Sequence, residues 1–383
     1  MIQDKKILCI SVMESWGGGE LYLLNLVRQI KDYEFIIASP KGRAFDTFSS
    51  YNIDLIQINR LRKIFRKSEK WSLFDKLKIL FNITLVTIQL VKIISSKKID
   101  LIFANGNFAA FYSIFSAKLT KRKLVAAQHL IYNNQSTEAK ILKFLIPRVE
   151  AMICVSNAVT TCINQIAGED AVKNTSVIHN GIEIPFVEER IPGSEKLNIG
   201  FVGSIIKQKG LKEIITALNP IFRKNKYLIF HVFGTTVKNE ESQNYYAEIL
   251  SLINSFKLDD KIIFHGHITS KDDIYNKIDI LINFSVSDES LGYNILEAMS
   301  YSKVVIGSNA GGVPEIIEDN KSGFLVEQND IIHLTKKIKY CVENFNSPMM
   351  VDVRRNASNT IATKFSLEQF TLQYKNMFNS IFQ

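Results

Sequence analysis

Cysteine and proline are sparse in this sequence, long apolar runs are missing, and no D-x-D occurs anywhere in it. The four cysteines among 383 residues exclude a disulfide-built fold. Cys9, Cys154, Cys162 and Cys341 share no C-x-x-C spacing, which removes a zinc ribbon or a dithiol centre. With only 7 prolines and 18 glycines the chain is neither collagen-like nor a linker. Hydrophobic residues at 46% give ample material for cores, so intrinsic disorder is excluded as the main state. The longest apolar stretch, Ile79–Ile94, is broken by Asn82, Gln89 and Lys92 and falls short of the roughly 20 residues of a spanning helix. The run Ile7–Val12 is too short for a signal peptide. The expectation is a reduced, cytoplasmic chain without a membrane span.

Charge of one sign is concentrated. Residues 1–190 hold 26 Lys and Arg against 17 Asp and Glu, while residues 191–383 are balanced, so the whole +9 excess lies in the first half. Two domains with different partners follow, the first meeting something anionic.

Short β-branched runs alternate with amphipathic stretches in both halves. KILCISVM (6–13), EFIIAS (34–39), IDLIFA (99–104) and KLVAAQ (123–128) are apolar without alternation, as are LNIGFVG (197–203), YLIFHVFG (227–234) and DILINF (279–284). That pattern belongs to parallel strands buried on both faces. The fold class is therefore α/β, two Rossmann-like doubly wound domains facing a cleft, since such sheets bind ligands at their strand carboxyl ends. The expected divisions are 1–181, a linker at 182–196 marked by two prolines and a charge cluster, 197–365, and a C-terminal helix 366–383 packing back towards the first domain.

The stretch Ser285–Glu297, SVSDESLGYNILE, is the most informative. Glu289 closes a strand-to-helix loop, Gly292 permits close backbone approach, and a helix opens at Tyr293 and Asn294 with Glu297 about one turn in. A helix N-terminus behind a glycine offers free N–H groups to phosphate, and a carboxylate one turn in can chelate a vicinal diol. The plainer reading makes Glu289 a cap and Glu297 a solvated side chain.

Glu289 and Glu297, seven residues apart with Gly292 between, resemble the E-x7-E motif of retaining glycosyltransferases of family 4. The usual E-G-F-G-x-x-x-x-E-A reads here as E-S-L-G-Y-N-I-L-E-A. Gly311-Gly312-Val313-Pro314-Glu315, Gly323-Phe324-Leu325-Val326 and Asn180-Gly181-Ile182 resemble further family segments in the family's order. The resemblance implies a two-domain transferase (the GT-B arrangement) whose first domain binds an acceptor and whose second binds a nucleotide-diphosphate sugar. Glu297 would hold the ribose and Glu289 the transferred sugar, with Gly292, Tyr293 and Asn294 at the donor. The family's V-G-R-x-x-x-x-K-G reads Val202-Gly203-Ser204-Ile205-Ile206-Lys207-Gln208-Lys209-Gly210. Lys209 matches the lysine of the diphosphate clamp, whereas Ser204 replaces the arginine and brings no charge unless Lys207 swings in. Gly17-Gly18-Gly19-Glu20 resembles the first glycine-rich loop, placing Gly18 and Gly19 over the diphosphate, with Trp16 either at the acceptor or in the core. His129 ends a strand where the family often has a histidine near the transferred sugar.

Without D-x-D the resemblance implies no metal and no cofactor. His265 and His267 form an H-x-H but lack a third ligand. The basic, aromatic segment 60–81 suggests an anionic membrane surface at the inner face of the plasma membrane, or else a solvated loop beside a packed helix. No nucleic-acid module is present. The expected acceptor is a glycan or lipid-linked glycan of bacterial surface polysaccharide assembly, such as lipopolysaccharide or capsule. A nucleotide-sugar epimerase, a non-catalytic sugar-nucleotide-binding partner and an NAD enzyme are the alternatives, the last disfavoured by the missing G-x-G-x-x-G.

Overall fold

The computed structural model describes residues 5–63, 72–168, 175–185 and 197–383. The chain forms two compact units, one from residues 1–181 with 367–383 and the other from residues 182–366.

The first unit is built on a seven-stranded parallel sheet. Its strands are β1 (Lys6–Ile10), β2 (Glu34–Ser39), β3 (Asp54–Gln57), β4 (Leu101–Asn105), β5 (Lys123–Gln128), β6 (Ala151–Cys154) and β7 (Thr175–Val177), in the spatial order β3-β2-β1-β4-β5-β6-β7. The central strands β1 and β4 are buried along nearly their whole length, which is why their sequences show no polar alternation. The helices are α1 (Gly18–Gln29), α2 (Arg43–Ser50), α3 (Leu73–Ser96), α4 (Asn107–Thr120), α5 (Thr137–Leu145) and α6 (Asn157–Ala167). Helix α2 was not apparent from sequence. It is a short amphipathic helix of about two turns whose buried side chains are Ala44 and Phe48.

Helix α3 runs through the stretch 79–94 and through the polar residues that interrupt it. By length and composition alone Phe74–Ser96 is long and apolar enough to cross a membrane. Asn82, taken as an interruption, is buried and bonds the Tyr112 hydroxyl at 3.0 Å and the Arg60 carbonyl at 3.1 Å. A buried amide satisfied in this way costs little, so the helix runs through it. Ser72 and Asp75 form a capping box at its start.

The second unit has six parallel strands, β8 (Leu197–Val202), β9 (Leu228–Phe233), β10 (Ile262–Gly266), β11 (Ile280–Asn283), β12 (Val304–Ser308) and β13 (Phe324–Val326), ordered β10-β9-β8-β11-β12-β13. Helices α7 (Leu211–Phe222), α8 (Glu240–Phe256), α9 (Lys271–Tyr275), α10 (Tyr293–Ser300), α11 (Val313–Ile316), α12 (Ile331–Glu343) and α13 (Pro348–Lys364) complete it. Of the expected linker, residues 186–196 lie outside the described residues. Ile182 bonds the Phe365 carbonyl at 2.9 Å, within the second unit.

The last helix, α14 (Leu367–Phe382), belongs to the first unit. Its buried Phe370, Tyr374 and Phe378 meet Tyr22, Tyr33 and Phe103 edge-on, at centroid separations of 5.4–6.2 Å. Such pairs add to the area they bury. Phe378→Ala should lower the stability of the first unit by about 3–5 kcal/mol and leave the second unit's unfolding transition in place. Denaturant titration with probes in each unit checks this, and a loss below about 1 kcal/mol would show that α14 is not part of that core.

Candidate active site

Each sheet has one point where neighbouring strands are followed by crossovers in opposite directions, and ligand sites of open α/β sheets stand there. In the second unit it lies between β8 and β11. The loop after β8 carries Ser204, a single 3-10 turn Lys207–Lys209, and Gly210. The loop after β11 carries Ser285, Glu289 and Gly292. The two loops are tied together by the Val286 N–H, which donates to the Gln208 carbonyl at 2.9 Å. Gly210 is required there: it has φ +65°, and a Cβ would stand 2.0 Å from the Phe284 carbonyl oxygen.

That approach brings the Lys209 ammonium onto the Glu289 carboxylate as a hydrogen-bonded ion pair. Ser285 Oγ donates to the same carboxylate at 3.0 Å. Neither Ser285 nor its role was apparent from sequence; the only signal is its place at a strand end four residues before Glu289. The G-G-x-P-E segment supports this loop through its backbone. Gly312 N–H donates to the Glu289 carbonyl at 2.7 Å, and Gly311, at φ +59°, leaves no room for a Cβ, which would fall 2.1 Å from the same oxygen.

Gly292 caps α10, so the open N–H groups of Tyr293 and Asn294 lie at the same loop cluster. Asn294 also braces the fold at this point. Its amide donates to the Val202 carbonyl at 2.8 Å and accepts from Asn283 Nδ2 at 3.0 Å, bracing α10 against β8 and β11. The Tyr293 hydroxyl is buried and has no hydrogen-bond partner among the described residues. Glu297, one turn further on, accepts from the Tyr275 hydroxyl at 2.8 Å and pairs with Lys271 at 2.9 Å. Both partners come from α9, and sequence reasoning missed both.

Ser204 is exposed, and its carbonyl accepts from the Ile206 N–H. The exposed Lys207 lies near α8: the Glu248 carboxyl is held below its usual range by its hydrogen bond to Lys212 and, in smaller part, by the Lys207 charge. His265 stacks on Phe233 and bonds His231 at 2.9 Å. Among the described residues no group of three or more His, Cys, Asp or Glu is placed to hold a metal ion.

In the first unit the corresponding point lies between β1 and β4. A cavity of about 290 Å³ opens there, and Gly18, Gly19, Glu20, Lys63, Asn105 and His129 are among its lining residues. Asn105 Nδ2 donates to the Gly19 carbonyl at 3.0 Å, which turns its Oδ1 towards His129 Nε2 at 2.7 Å. His129 therefore carries its proton on Nε2. Burial pulls its pKa down to about 4, so the ring is neutral at pH 7, with Nδ1 an acceptor. Trp16 packs edge-on against Phe48 of α2, at 5.5 Å between centroids, and is not among the lining residues.

Glu20, to which the sequence assigned no role, is almost fully buried beside this cavity. It accepts from Ser11 Oγ at 3.3 Å. Burial raises its pKa from 4.5 to about 7, against smaller lowering by hydrogen bonds and by Lys63. The signal available was an acid directly behind three glycines.

Profiles of two glycosyltransferase domains divide the chain between them. Glycosyltransferase Family 4 matches residues 16–185, and Glycosyl transferases group 1 matches residues 186–360. The chain is a glycosyltransferase assembled from these two domains. An uncharacterized glycosyltransferase of Methanocaldococcus jannaschii is 26% identical, with 98% of each chain covered. The poly(ribitol-phosphate) alpha-N-acetylglucosaminyltransferase of Staphylococcus aureus is 22% identical over 78% of this chain and 59% of its own length. The crystal structure of Anabaena HepE in complex with UDP and glucose matches with a TM-score of 0.83, at 22% identity over 98% of this chain and 100% of HepE. That likeness is one of fold.

The raised Glu20 pKa gives a pH-dependent expectation. In the folded state the carboxyl prefers to be protonated, so its ionisation destabilises the fold above pH 7, and the penalty fades as pH falls towards 4.5. Glu20→Gln should therefore stabilise the protein by up to about 3 kcal/mol at pH 8, with a much smaller gain at pH 5. Thermal melts at the two pH values check it; an equal gain at both would remove ionisation as the cause.

Proposed function

We propose that this glycosyltransferase moves a sugar from a nucleotide-diphosphate donor to a glycan or lipid-linked glycan acceptor, with retention at the anomeric carbon. The observation that carries the reading is the gathering of Lys209, Ser285, Glu289 and the start of α10 at the β8–β11 switch point. A diphosphate seated on the α10 N–H groups would compete with Glu289 for the Lys209 ammonium. It would thereby release the Glu289 carboxylate to accept from hydroxyls of the transferred sugar. Glu297 lies one turn along the same helix, at a reach suited to the two ribose hydroxyls, and Tyr275 and Lys271 orient it.

The chemistry is then positioning and charge stabilisation. The bond from the anomeric carbon to the diphosphate oxygen breaks, the acceptor oxygen bonds to the same face of that carbon, and its proton passes to the leaving diphosphate. Lys209 and the helix end neutralise the departing charge, since Ser204 supplies none. The cavity around His129 is the acceptor side of this reading, with Nδ1 available to a hydroxyl. Similarity supports the donor class, because the HepE structure holds UDP. It also supports the acceptor class, since one relative is a capsular polysaccharide biosynthesis glycosyltransferase of Staphylococcus aureus, 23% identical over 48% of this chain and 46% of its own length.

Glu297→Ala should weaken nucleoside diphosphate binding about ten- to a hundredfold, the loss of a charged hydrogen bond of about 1.5–3 kcal/mol. Glu289→Ala should abolish transfer while leaving that binding nearly intact. Calorimetry and a product assay separate the two, and equal loss of both functions in both variants would mean the acids' roles are misassigned.

Activity is expected to survive excess chelator, because the sequence holds no D-x-D and a lysine and a helix end stand where the diphosphate would sit. Rescue of a chelated enzyme by magnesium or manganese would count against this site.

A further inference from the structure

The basic, aromatic segment 60–81 drew attention to a membrane, and residues 64–71 of it lie outside the described residues. The described part belongs to a larger apolar surface. Helix α3 is apolar on both sides. Its inner side chains Val86, Leu90 and Ile94 are buried, while Phe74, Leu77, Phe81 and Ile88 recur at helical spacing on the outside. Phe74 is 74% exposed and Ile88 59%. Helix α4, which packs along α3, adds Phe115 and Leu119 to the outside, the latter 69% exposed.

These outward residues share one surface. Strand β3 leads through α3 to β4, and β4 through α4 to β5, both stepping the same way along the sheet order. With right-handed crossovers both helices then cover the same sheet face. The bond from Asn82 on α3 to the Tyr112 hydroxyl on α4 fixes which side of each helix turns outward. An exposed apolar row along two neighbouring helices is more than the scattered leucines of an ordinary surface.

Cations border it. Lys76, Lys78 and Lys92 lie on α3 and are exposed. At the end of α4, a groove of about 620 Å³ is lined by Phe115, Lys118, Lys121, Arg122 and Arg148. Two of its cations are already engaged: Lys123 by Glu150 at 3.5 Å and the Ile381 carbonyl at 2.7 Å, and Arg148 by the Phe144 carbonyl at 2.7 Å.

We propose that the α3–α4 face is a docking surface for an anionic lipid leaflet, the apolar row entering the headgroup boundary and the lysines and arginines meeting lipid phosphates. A second copy of the chain fits less well, because a two-fold contact through this face would bring the same cations of both copies together. The proposal rests on the transferase reading only in that a lipid-linked acceptor would then be delivered to the enzyme at a surface.

The test uses the full chain with vesicles of phosphatidylcholine alone and with phosphatidylglycerol added. Wild type should sediment with the anionic vesicles and lose most of that binding between 50 and about 500 mM salt, as screening shortens the reach of charge. Leu77→Ser with Phe81→Ser and Ile88→Ser should reduce partitioning at least tenfold, as should, separately, Lys118→Glu with Arg122→Glu. These variants act from the exposed side and should keep the wild-type melting temperature and UDP binding. The second pair serves if the first variant fails to fold. Indifference of the wild type to anionic vesicles overturns the proposal, and so does a dimer in light scattering that Ile88→Ser dissolves. Loss of UDP binding with vesicle binding intact would strike the transferase reading alone.

Discussion

Every strand in both sheets runs parallel to its neighbours, and that constraint decides where chemistry can stand. In a parallel sheet all strands end on the same edge, so the loops that follow them, and the helix N-termini those loops feed, collect there. Because each sheet grows outward in two directions from its middle, one pair of adjacent strands has its following loops turning apart. Lys209 and Glu289 are 80 positions apart in sequence, yet they form an ion pair because β8 and β11 are that pair. Gly19 and Asn105 are neighbours for the same reason in the other unit, and Asn105 at the end of β4 passes the contact on to His129 after β5.

The motif glycines act through backbone closeness. Gly210 lets the lysine loop lie on the end of β11, and Gly311 with Gly312 lets the chain after β12 lie on the backbone of Glu289. A methyl group at Gly210 would push apart the two loops that share the ion pair, and one at Gly311 or Gly312 would push the chain after β12 off the acid's loop. The second sheet therefore holds its acid from behind, by main-chain contacts, and leaves the carboxylate itself to polar partners. Asn294 completes the arrangement by bonding both strand ends through its amide.

The alternation of strand and helix was legible because buried parallel strands cannot alternate in polarity, and β1, β4, β8 and β11 do not. The acids, the lysine and the histidine were legible through their resemblance to a family pattern. What stayed hidden depended on partners distant in sequence. Asn82 looked like a break in an apolar run because nothing in the linear sequence shows Tyr112 standing opposite it. The bracing by Asn294 was hidden because its bonds to Val202 and Asn283 are made only when α10 lies across two strands. Tyr275 and Lys271 come from a five-residue helix too short to carry a pattern, and Glu20 stood in plain view without a sign that its side chain turns inward.

The placement of α14 has a consequence for synthesis. A ribosome releases the first unit's seven strands long before it makes the helix that covers Tyr22, Tyr33, Phe35 and Phe103. The second unit, contained within residues 182–366, is complete while the aromatic surface of the first still lacks its last partner. Synthesis of residues 367–383, not emergence of the first 181 residues, is thus the event that closes the N-terminal core. Until then the nascent chain carries an apolar face of the kind that chaperones bind, and a chain truncated before residue 367 would leave that face open for good.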